Sequence, residues 1–377
     1  MDLATLEGEQ RRNDSWISVQ FQRIHLDLPL LAMLTLLASF GILVLYSAGD
    51  ENTGLLTRQM IRLGVAFGAM FVFAQIPPSI YQRYSMGVWA ITVLLLVAVL
   101  VVGSTGGGAQ RWLNLGVVKF QPSELMKLTL PLVTAAWLSS KPNPPDVRSV
   151  LVSLALIVLP VLLIARQPDL GTSILMGASG MFVLFLSGLG WRWIFGGISL
   201  IAAALPALWY VMKDYQRQRV LTLLNPEADP FGSGYHIIQS KIAIGSGGLW
   251  GKGWLNGTQS HLDFLPERST DFIFAVLAEE HGLMGVLPLL ALYLAIVFRC
   301  LYIAAQATNL FSRTVAGSIG LTFFVYVFVN IGMVSGLLPV VGVPLPLVSY
   351  GGTSMVTLMA GFGILMSIHT HKKLIAR

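Results

Sequence analysis

The sequence predicts an all-α polytopic membrane protein of about ten transmembrane helices, and two observations support this fold class. Hydrophobic residues make up 55% of the 377 residues and charged residues only 11%, with a mean hydropathy of +0.72. Soluble domains carry about 25% charged residues, so this chain has too few to cover a surface exposed to water. Apolar stretches of roughly 20 residues, the length that crosses a hydrocarbon core of about 30 Å, recur along the whole chain.

The predicted spans belong to a single integral membrane domain, 1–377. They occupy 28–48, 59–76, 84–103, 122–139, 148–165, 171–189, 191–211, 273–306, 314–338 and 351–370. A large loop, 212–272, separates the seventh span from the eighth. Residues 339–354 contain three prolines and three glycines and cannot form a regular helix across a bilayer. Irregular backbone at that depth must be buried in protein or line a wet cavity, which predicts a re-entrant segment before the tenth span.

The distribution of charge predicts the orientation. Of the 24 lysines and arginines, twelve lie at span ends on the side of the N-terminus and six in the short loops of the other side. The remaining six lie in loop 212–272, which the positive-inside rule does not count. Both termini are therefore predicted to be cytoplasmic. Twelve of the 18 acidic residues fall on the outer side, so the chemistry is expected there.

Composition also excludes several classes of function. The basic residues flank apolar segments and form no basic block, which argues against nucleic acid as a partner. The single cysteine, Cys300, lies within an apolar run and excludes a disulfide framework or a thiolate metal cluster.

Two short outer segments carry charge into or between spans. Glu124 and Lys127 lie three residues apart after the Pro122 that starts the fourth span, and therefore share a helix face. Charges that enter a span cost about 2.5–3.5 kcal/mol each near its centre, so function is favoured over a simple stabilising ion pair. Asp169, in the turn 167–172, has two open interpretations: a helix cap or a ligand contact.

Loop 212–272 contains three recognisable stretches. Residues 215–219 are cationic, and 234–241 have the pattern of a short amphipathic helix. The glycine-rich run 245–253 resembles a phosphate-binding loop only superficially, because Gly253 stands where that motif requires Ser or Thr. A tightly turning, flexible loop is the better interpretation.

Asp271 lies at the start of the eighth span, and catalysis and helix capping both remain open for it. Ser269 and Thr270 compete for the cap, whereas an apolar neighbourhood would raise the pKa of Asp271 towards that of a base. Glu279 and Glu280 follow about 12–14 Å farther along the same helix and are expected to lie deeper in the membrane. Both are expected to pair with polar groups of other helices.

The outer face as a whole suits an anionic amphiphile. Ser349, Tyr350 and Ser354 offer hydroxyl groups to the predicted cavity. Arginine, lysine and carboxylate side chains beside lipid suit a lipid-linked phosphate, which an enzyme could modify or a transporter could flip. Transporters often have two halves with matching broken helices, and the long loop here has no evident twin, which favours the enzyme.

These segments together resemble those of the SEDS family (shape, elongation, division and sporulation) of bacterial cell-wall proteins. The resemblance extends from Ala-Gln-Ile-Pro-Pro at 74–78 to His-Thr-His at 369–371, nearly the whole chain. Residues 341–352 are similar to the elongation branch, because the division branch typically has a Lys-Gly-Leu-Thr-Leu-Pro type of segment there. The resemblance implies a peptidoglycan glycosyltransferase of the bacterial inner membrane that polymerises lipid II. It also implies a class B penicillin-binding protein as transpeptidase partner. A flippase and the division-type paralogue remain the alternatives.

The resemblance also implies roles for particular residues. The family's catalytic aspartate lies in a His-Thr-Asp-Phe-Ile motif, which matches 269–273 and makes Asp271 the expected general base. Ser269 replaces the usual histidine of that motif, and His281 replaces the leucine of the usual Glu-Glu-Leu-Gly. No residue spacing demands a metal, although a magnesium or manganese ion bridging carboxylate and pyrophosphate is compatible with the chemistry. The expected substrate-binding residues are Arg111, Glu124, Lys127, Asp169, Lys241, Ser349 and Tyr350.

Overall fold

The computed structural model describes residues 24–106, 109–114, 119–212, 214–228, 233–261, 265 and 267–371. Phe264, one of the apolar neighbours expected beside Asp271, and the basic residues of both termini lie outside these ranges. The helices in the described ranges are α1 Leu28–Ala48, α2 Thr53–Gln75, α3 Pro78–Val102, α4 Pro122–Ser139, α5 Val147–Arg166, α6 Leu170–Leu186, α7 Trp191–Val211, α8 Asp214–Leu224, α9 Ser233–Gly247, α10 Thr258–His261, α11 Ile273–Ala305, α12 Leu310–Val334 and α13 Thr353–Thr370.

Every predicted span coincides with one of these helices, and the chain is an all-α polytopic membrane protein. Within the described residues, seven helices are long and apolar enough to cross a membrane: α1, α2, α3, α5, α11, α12 and α13. α6 and the apolar part of α7 are shorter. α4, with 18 residues, carries Glu124 and Lys127 in its first two turns.

Helix starts follow capping residues rather than hydropathy. Asp27 caps α1, Asn52 caps α2 and Asn309 caps α12, each by accepting a hydrogen bond from a first-turn amide. α2 therefore begins six residues before the predicted span, because the helix starts at its cap, whereas Thr53, Thr57 and Arg58 lower the hydropathy of its first six residues. The 234–241 helix is confirmed and is part of the longer α9.

A small antiparallel sheet between α3 and α4 was not predicted. It consists of β1 Ser104–Gly106, β2 Ala109–Asn114 and β3 Lys119–Phe120, in the order β1-β2-β3. β2 places Arg111 beside α4 and the turn before α6.

α11 is not one straight helix. Its 33 residues would measure about 50 Å, far more than a bilayer core. Gly282, with φ +58° and ψ −160°, interrupts it, so residues 283–305 alone have the length of a span. Ser47, at the end of α1, donates a hydrogen bond to the carboxylate of Glu280. The depth of Glu280 relative to Asp271 stays a prediction. The expected pairing with another helix is confirmed.

The irregular 339–352 segment lies inside the helix bundle. A Cβ added to Gly41 of α1 would lie 2.5 Å from the main-chain oxygen of Leu347, so only glycine allows this close approach. Tyr293 of α11 donates a hydrogen bond of 2.7 Å to the main-chain oxygen of Pro346. Buried carbonyl groups of this segment thus find partners within the protein, as a low-dielectric environment requires.

Candidate active site

Asp271 lies in the turn that precedes α11. Phe272 occupies the N-cap position of α11, and no side chain caps the helix. The capping interpretation of Asp271, Ser269 and Thr270 is therefore wrong. Within the described part of the chain, no hydrogen bond or ion pair reaches the Asp271 carboxylate. Its Oδ2 lies 3.4 Å from the position that a Cβ on Gly342 would take, so it faces the 339–352 segment.

The main chain of this turn is held by two residues of the 339–352 segment. Ser349 Oγ donates a hydrogen bond of 2.5 Å to the main-chain oxygen of Thr270. The main-chain amide of Tyr350 donates one of 2.8 Å to the main-chain oxygen of Ser269. The Ser349 hydroxyl also accepts a bond of 2.8 Å from the amide of Leu345. The Ser349 hydroxyl therefore uses its donor and an acceptor position within the protein.

Burial, together with the smaller effect of the negative charge of Glu267, raises the pKa of Asp271 to about 6. Desolvation disfavours the ionised form of a carboxyl group, and a like charge nearby adds to this. A general base is most effective when its pKa lies near the working pH. The site therefore turns an ordinary carboxylate into a better base.

Glu124 and Lys127 form a buried ion pair on α4, with 2.7 Å between Lys127 Nζ and Glu124 Oε1. The Lys127 ammonium also lies 5.5 Å from the ring centroid of Tyr326 on α12. Both charges are thus compensated within the protein, while Lys127 keeps one side towards a groove.

This groove runs between α4, α12, α13 and the 339–352 segment and is open to the surroundings of the protein. Its polar end carries Lys127, Ser349 and Ser354. The rest of its wall is predominantly apolar and includes Leu128, Ile319, Phe323, Leu345, Leu358 and Phe362. A groove with a cationic side chain at one end and an apolar wall fits a molecule with an anionic head and a hydrocarbon chain.

Asp169 caps α6, since its Oδ1 accepts a hydrogen bond of 3.2 Å from the amide of Thr172. Of the two interpretations left open, capping is the one observed. Arg111 approaches the same carboxylate, with 3.7 Å between Nε and Oδ2, and donates a bond of 2.7 Å to the main-chain oxygen of Pro168. A Cβ on Gly171 would lie 3.1 Å from the main-chain oxygen of Val341, so this turn also borders the 339–352 segment.

Tyr350 and Lys241 lie at other edges of the site. The guanidinium of Arg62, on α2, lies 4.3 Å from the ring centroid of Tyr350, a cation–π geometry. Arg62 was not predicted as a site residue, although an arginine within an apolar helix was a usable signal. Lys241 is exposed on α9, and its Nζ would lie 2.8 Å from a Cβ on Gly336, at the end of α12. Lys241 does not line the groove.

Apart from Lys241, the predicted residues thus lie in the 339–352 segment, beside it or next to a residue that borders it. Among the described residues, no group of three or more His, Cys, Asp or Glu side chains is placed to hold a metal ion.

Comparison with known proteins decides the family. The sequence model of the cell cycle protein family of FtsW, RodA and SpoVE matches residues 23–374. The chain belongs to the SEDS family. The resemblance predicted from the outer segments is therefore confirmed.

Individual SEDS proteins are similar over almost their full length. The peptidoglycan glycosyltransferase MrdB of Escherichia coli (strain K12) is 56% identical over 358 residues, covering 95% of this chain and 97% of MrdB. In a solved peptidoglycan synthase complex described as coordinating polymerization and crosslinking, one chain superposes with a TM-score of 0.80. It is 34% identical and covers 92% of this chain and 99% of its own. The rod shape determining protein RodA of Thermus thermophilus gives a TM-score of 0.69 at 29% identity, with 91% and 96% covered.

Proposed function

We propose that this SEDS protein is a peptidoglycan glycosyltransferase that polymerises lipid II into glycan strands during cell elongation, with Asp271 as general base. One observation carries the assignment: a partly buried carboxylate that caps no helix and has a pKa of about 6. A carboxyl group with a raised pKa makes the folded protein less stable at neutral pH, where the group is ionised. A catalytic role therefore accounts for the raised pKa better than a structural role. The glycosyltransferase activity of the MrdB relative supports the substrate class.

The proposed reaction is a single displacement. Asp271 removes the proton from the sugar hydroxyl of the acceptor lipid II, and the freed oxygen attacks the anomeric carbon of the donor glycan. The bond from that carbon to the lipid pyrophosphate breaks with inversion, and the pyrophosphate leaves as an anion. No second carboxylate is needed as nucleophile, unlike in a retaining glycosidase.

Cationic side chains would stabilise the departing pyrophosphate, because such charge develops as the bond breaks. Lys127 stands at the polar end of the groove and is our first candidate, with the hydrocarbon chain of the lipid lying along the apolar wall. Arg111 and Lys241 are candidates at the edges of the site, and Glu124 and Asp169 hold the first two of these cations. Tyr350, stacked on Arg62, would contact a sugar or phosphate at the entrance. Ser349 is assigned to holding the Asp271 turn.

The proposed arrangement in the bilayer has ten spans in one domain, formed by α1–α7 and α11–α13, with both termini in the cytoplasm of a bacterial inner membrane. Loop 212–272 is then extracytoplasmic, and the 339–352 segment is re-entrant. The contact of this segment with Gly41 supports this, since Gly41 lies about 10 Å before the end of α1.

We further infer a class B penicillin-binding protein as partner, which would crosslink the strands that this protein polymerises. The similar synthase complex, whose description joins polymerization to crosslinking, supports this inference.

The test is polymerisation of purified lipid II by the detergent-solubilised protein with its transpeptidase partner. Wild type is expected to produce glycan ladders, and Asp271→Asn to produce none while remaining folded. Asp146→Asn is the matched control, because asparagine can replace the cap that Asp146 provides for α5. Ladders that persist in Asp271→Asn would rule out Asp271 as the base.

Two outcomes would favour the alternatives. Scrambling of lipid II in vesicles without any polymer would favour the flippase. Rescue of septation instead of rod shape in cells that lack each branch would favour the division-type paralogue.

A further inference from the structure

The break in α11 is filled by the glycine-rich run of the large loop. In an unbroken helix the amide of Leu283 would donate to the main-chain oxygen of Glu279. It donates instead to the main-chain oxygen of Gly248, at 3.0 Å. The oxygen of Glu279 accepts from the main-chain amide of Lys252, also at 3.0 Å. The loop thus replaces the helix's own hydrogen-bond partners.

The next pair of partners is exchanged in the same way. Met284 donates to the main-chain oxygen of Leu249 at 3.1 Å, and Gly253 donates to that of Glu280 at 2.9 Å. Gly251, at φ +77°, makes this possible, since a Cβ there would lie 2.1 Å from the oxygen of Glu280. A Cβ on Gly247 would likewise lie 2.0 Å from the main-chain oxygen of Ala278. Gly247 and Gly251 are therefore needed for close backbone contact, and the flexible loop that the sequence suggested is here a packed one.

A side-chain ion pair secures this exchange. Lys252 Nζ lies 2.7 Å from Glu279 Oε1, and the Glu279 side chain is fully buried. The same oxygen accepts a bond of 3.0 Å from Thr258 Oγ1, and the amide of Gln259 donates to both carboxylate oxygens at 3.0 and 3.2 Å. Every contact here joins α11 to the loop 212–272. A buried carboxylate with this many donors is firmly placed.

We propose that Lys252 and Glu279 are a positioning pair that holds residues 273–281, and through them Asp271, in the geometry of the reaction. The proposal rests on the function proposed above. Residues 273–281 form a short rigid helix, and Glu279 lies about 12 Å along the chain direction from Asp271. One end of this helix is tied to the 339–352 segment, and the other is tied by the pair to the loop. Without the pair, only the main-chain hydrogen bonds to the loop hold the break at Gly282, and the break becomes a looser hinge.

The surroundings of Asp271 predict what such a hinge would do. Glu267 and Arg268 are the charged groups of its own turn, and Arg268 forms an ion pair with Asp50. His236 of α9 stacks on Phe272 at 5.7 Å. Asn330 of α12 and the backbone at Gly342 are uncharged. A mobile helix would admit water to this site, which weakens the desolvation of the Asp271 carboxylate and displaces it from its substrate.

The experiment measures polymerisation of purified lipid II against pH by the full chain with its transpeptidase partner. Lys252→Met is expected to lower kcat about 10- to 100-fold with little change in KM, as a small misplacement of a base does. The acid limb of the pH–rate profile of this variant is expected to move to lower pH, because better solvation of Asp271 lowers its pKa. Lys252→Arg, which keeps the ion pair, is expected to restore most of kcat. An unchanged kcat, or a lower kcat with an unmoved acid limb, would overturn the proposal.

A second variant guards against misfolding, since Lys252→Met leaves a buried carboxylate without its cation. Lys252→Met/Glu279→Gln removes both charges, while the glutamine oxygen can still accept from Thr258 and the amide of Gln259. It is expected to fold and to show the same loss of kcat, and wild-type kcat would refute the pair's role. Asp271→Asn, assayed in the same series, separates the two hypotheses. Activity in Asp271→Asn would refute Asp271 as the base in the proposed function. If Asp271→Asn is inactive and the Lys252 variants keep the kcat of the wild type, only the positioning pair is refuted.

Discussion

The side-chain amide of Asn330 donates a hydrogen bond of 2.9 Å to the main-chain oxygen of Asp271. The same nitrogen donates one of 2.7 Å to the main-chain oxygen of Val343. One fully buried side chain on α12 therefore joins the turn before α11 to the 339–352 segment. The bond engages only the backbone of Asp271 and leaves its carboxylate available.

Asn330→Leu should lower kcat at least tenfold, because the Asp271 turn loses a fixed point. It should also destabilise the protein by about 1–3 kcal/mol for each carbonyl left buried without a donor. Polymerisation assays and thermal denaturation measure the two effects. The control is Ser335→Ala, since the Ser335 hydroxyl bonds to the carbonyls of Ile331 and Gly332 in its own helix. A wild-type rate in Asn330→Leu would show that this bond does not position the base.

The polymerisation rate should fall as the pH drops through about 6, because Asp271 then becomes protonated and cannot accept a proton. Glu267→Gln should move this acid limb to lower pH, since it removes a negative charge that raises the pKa of Asp271. Glutamine keeps an acceptor for the hydroxyl of Thr270, which bonds to Glu267 at 2.7 Å. A pH–rate profile of kcat for both proteins tests this, and an identical midpoint would contradict it.

Asp271→Asn should raise the Tm at neutral pH while abolishing activity. The folded-state pKa of Asp271 lies above its unfolded value, so between pH 3.8 and about 6 the folded state binds more protons than the unfolded state. Stability therefore falls as the pH rises through this window, and the loss persists at neutral pH. Asparagine removes the ionisation. Thermal unfolding at pH 4 and pH 7 checks it: the variant's advantage should grow with pH, and an advantage confined to pH 4 would contradict the sign.

Gly282→Ala should destabilise the protein by about 3 kcal/mol or more, whereas alanine normally stabilises a helix relative to glycine. The backbone at Gly282 has a conformation that side chains rarely adopt, and a Cβ there would lie 2.4 Å from the amide nitrogen of Gly251. Gly68→Ala in α2 is the control, because nothing lies within 4 Å of its added Cβ. Unfolding temperatures in detergent should fall for the first and stay equal or rise for the second.

Much of the fold could be predicted because its signals are local. Runs of apolar residues determine the spans, and the 28–48 prediction coincides with α1. Starts such as Asn52 were missed because capping depends on one side chain, which hydropathy averages away. The small sheet was missed because its strands, of two to six residues, are too short to show a period.

The site was predicted in composition but not in geometry. The residues of the predicted motifs do meet, since Lys127, Asp271 and Gly171 of the Asp169 turn all border the 339–352 segment. The structural role of each of these residues could not be predicted from the sequence, because capping, ion pairing and burial depend on which other segment of the chain packs against the residue.

The sequence by itself determined that this protein is a multi-pass membrane protein of the SEDS family, because hydropathy and motif order are properties of the chain alone. Only the tertiary structure decided that Asp271 leaves its helix uncapped and that the run 245–253 completes a broken helix. The physical reason is distance along the chain. The hydrogen bonds that hold the Asp271 turn come from Asn330 and Ser349, 59 and 79 residues from their partners. A backbone conformation set by such contacts is not encoded in the residues that adopt it.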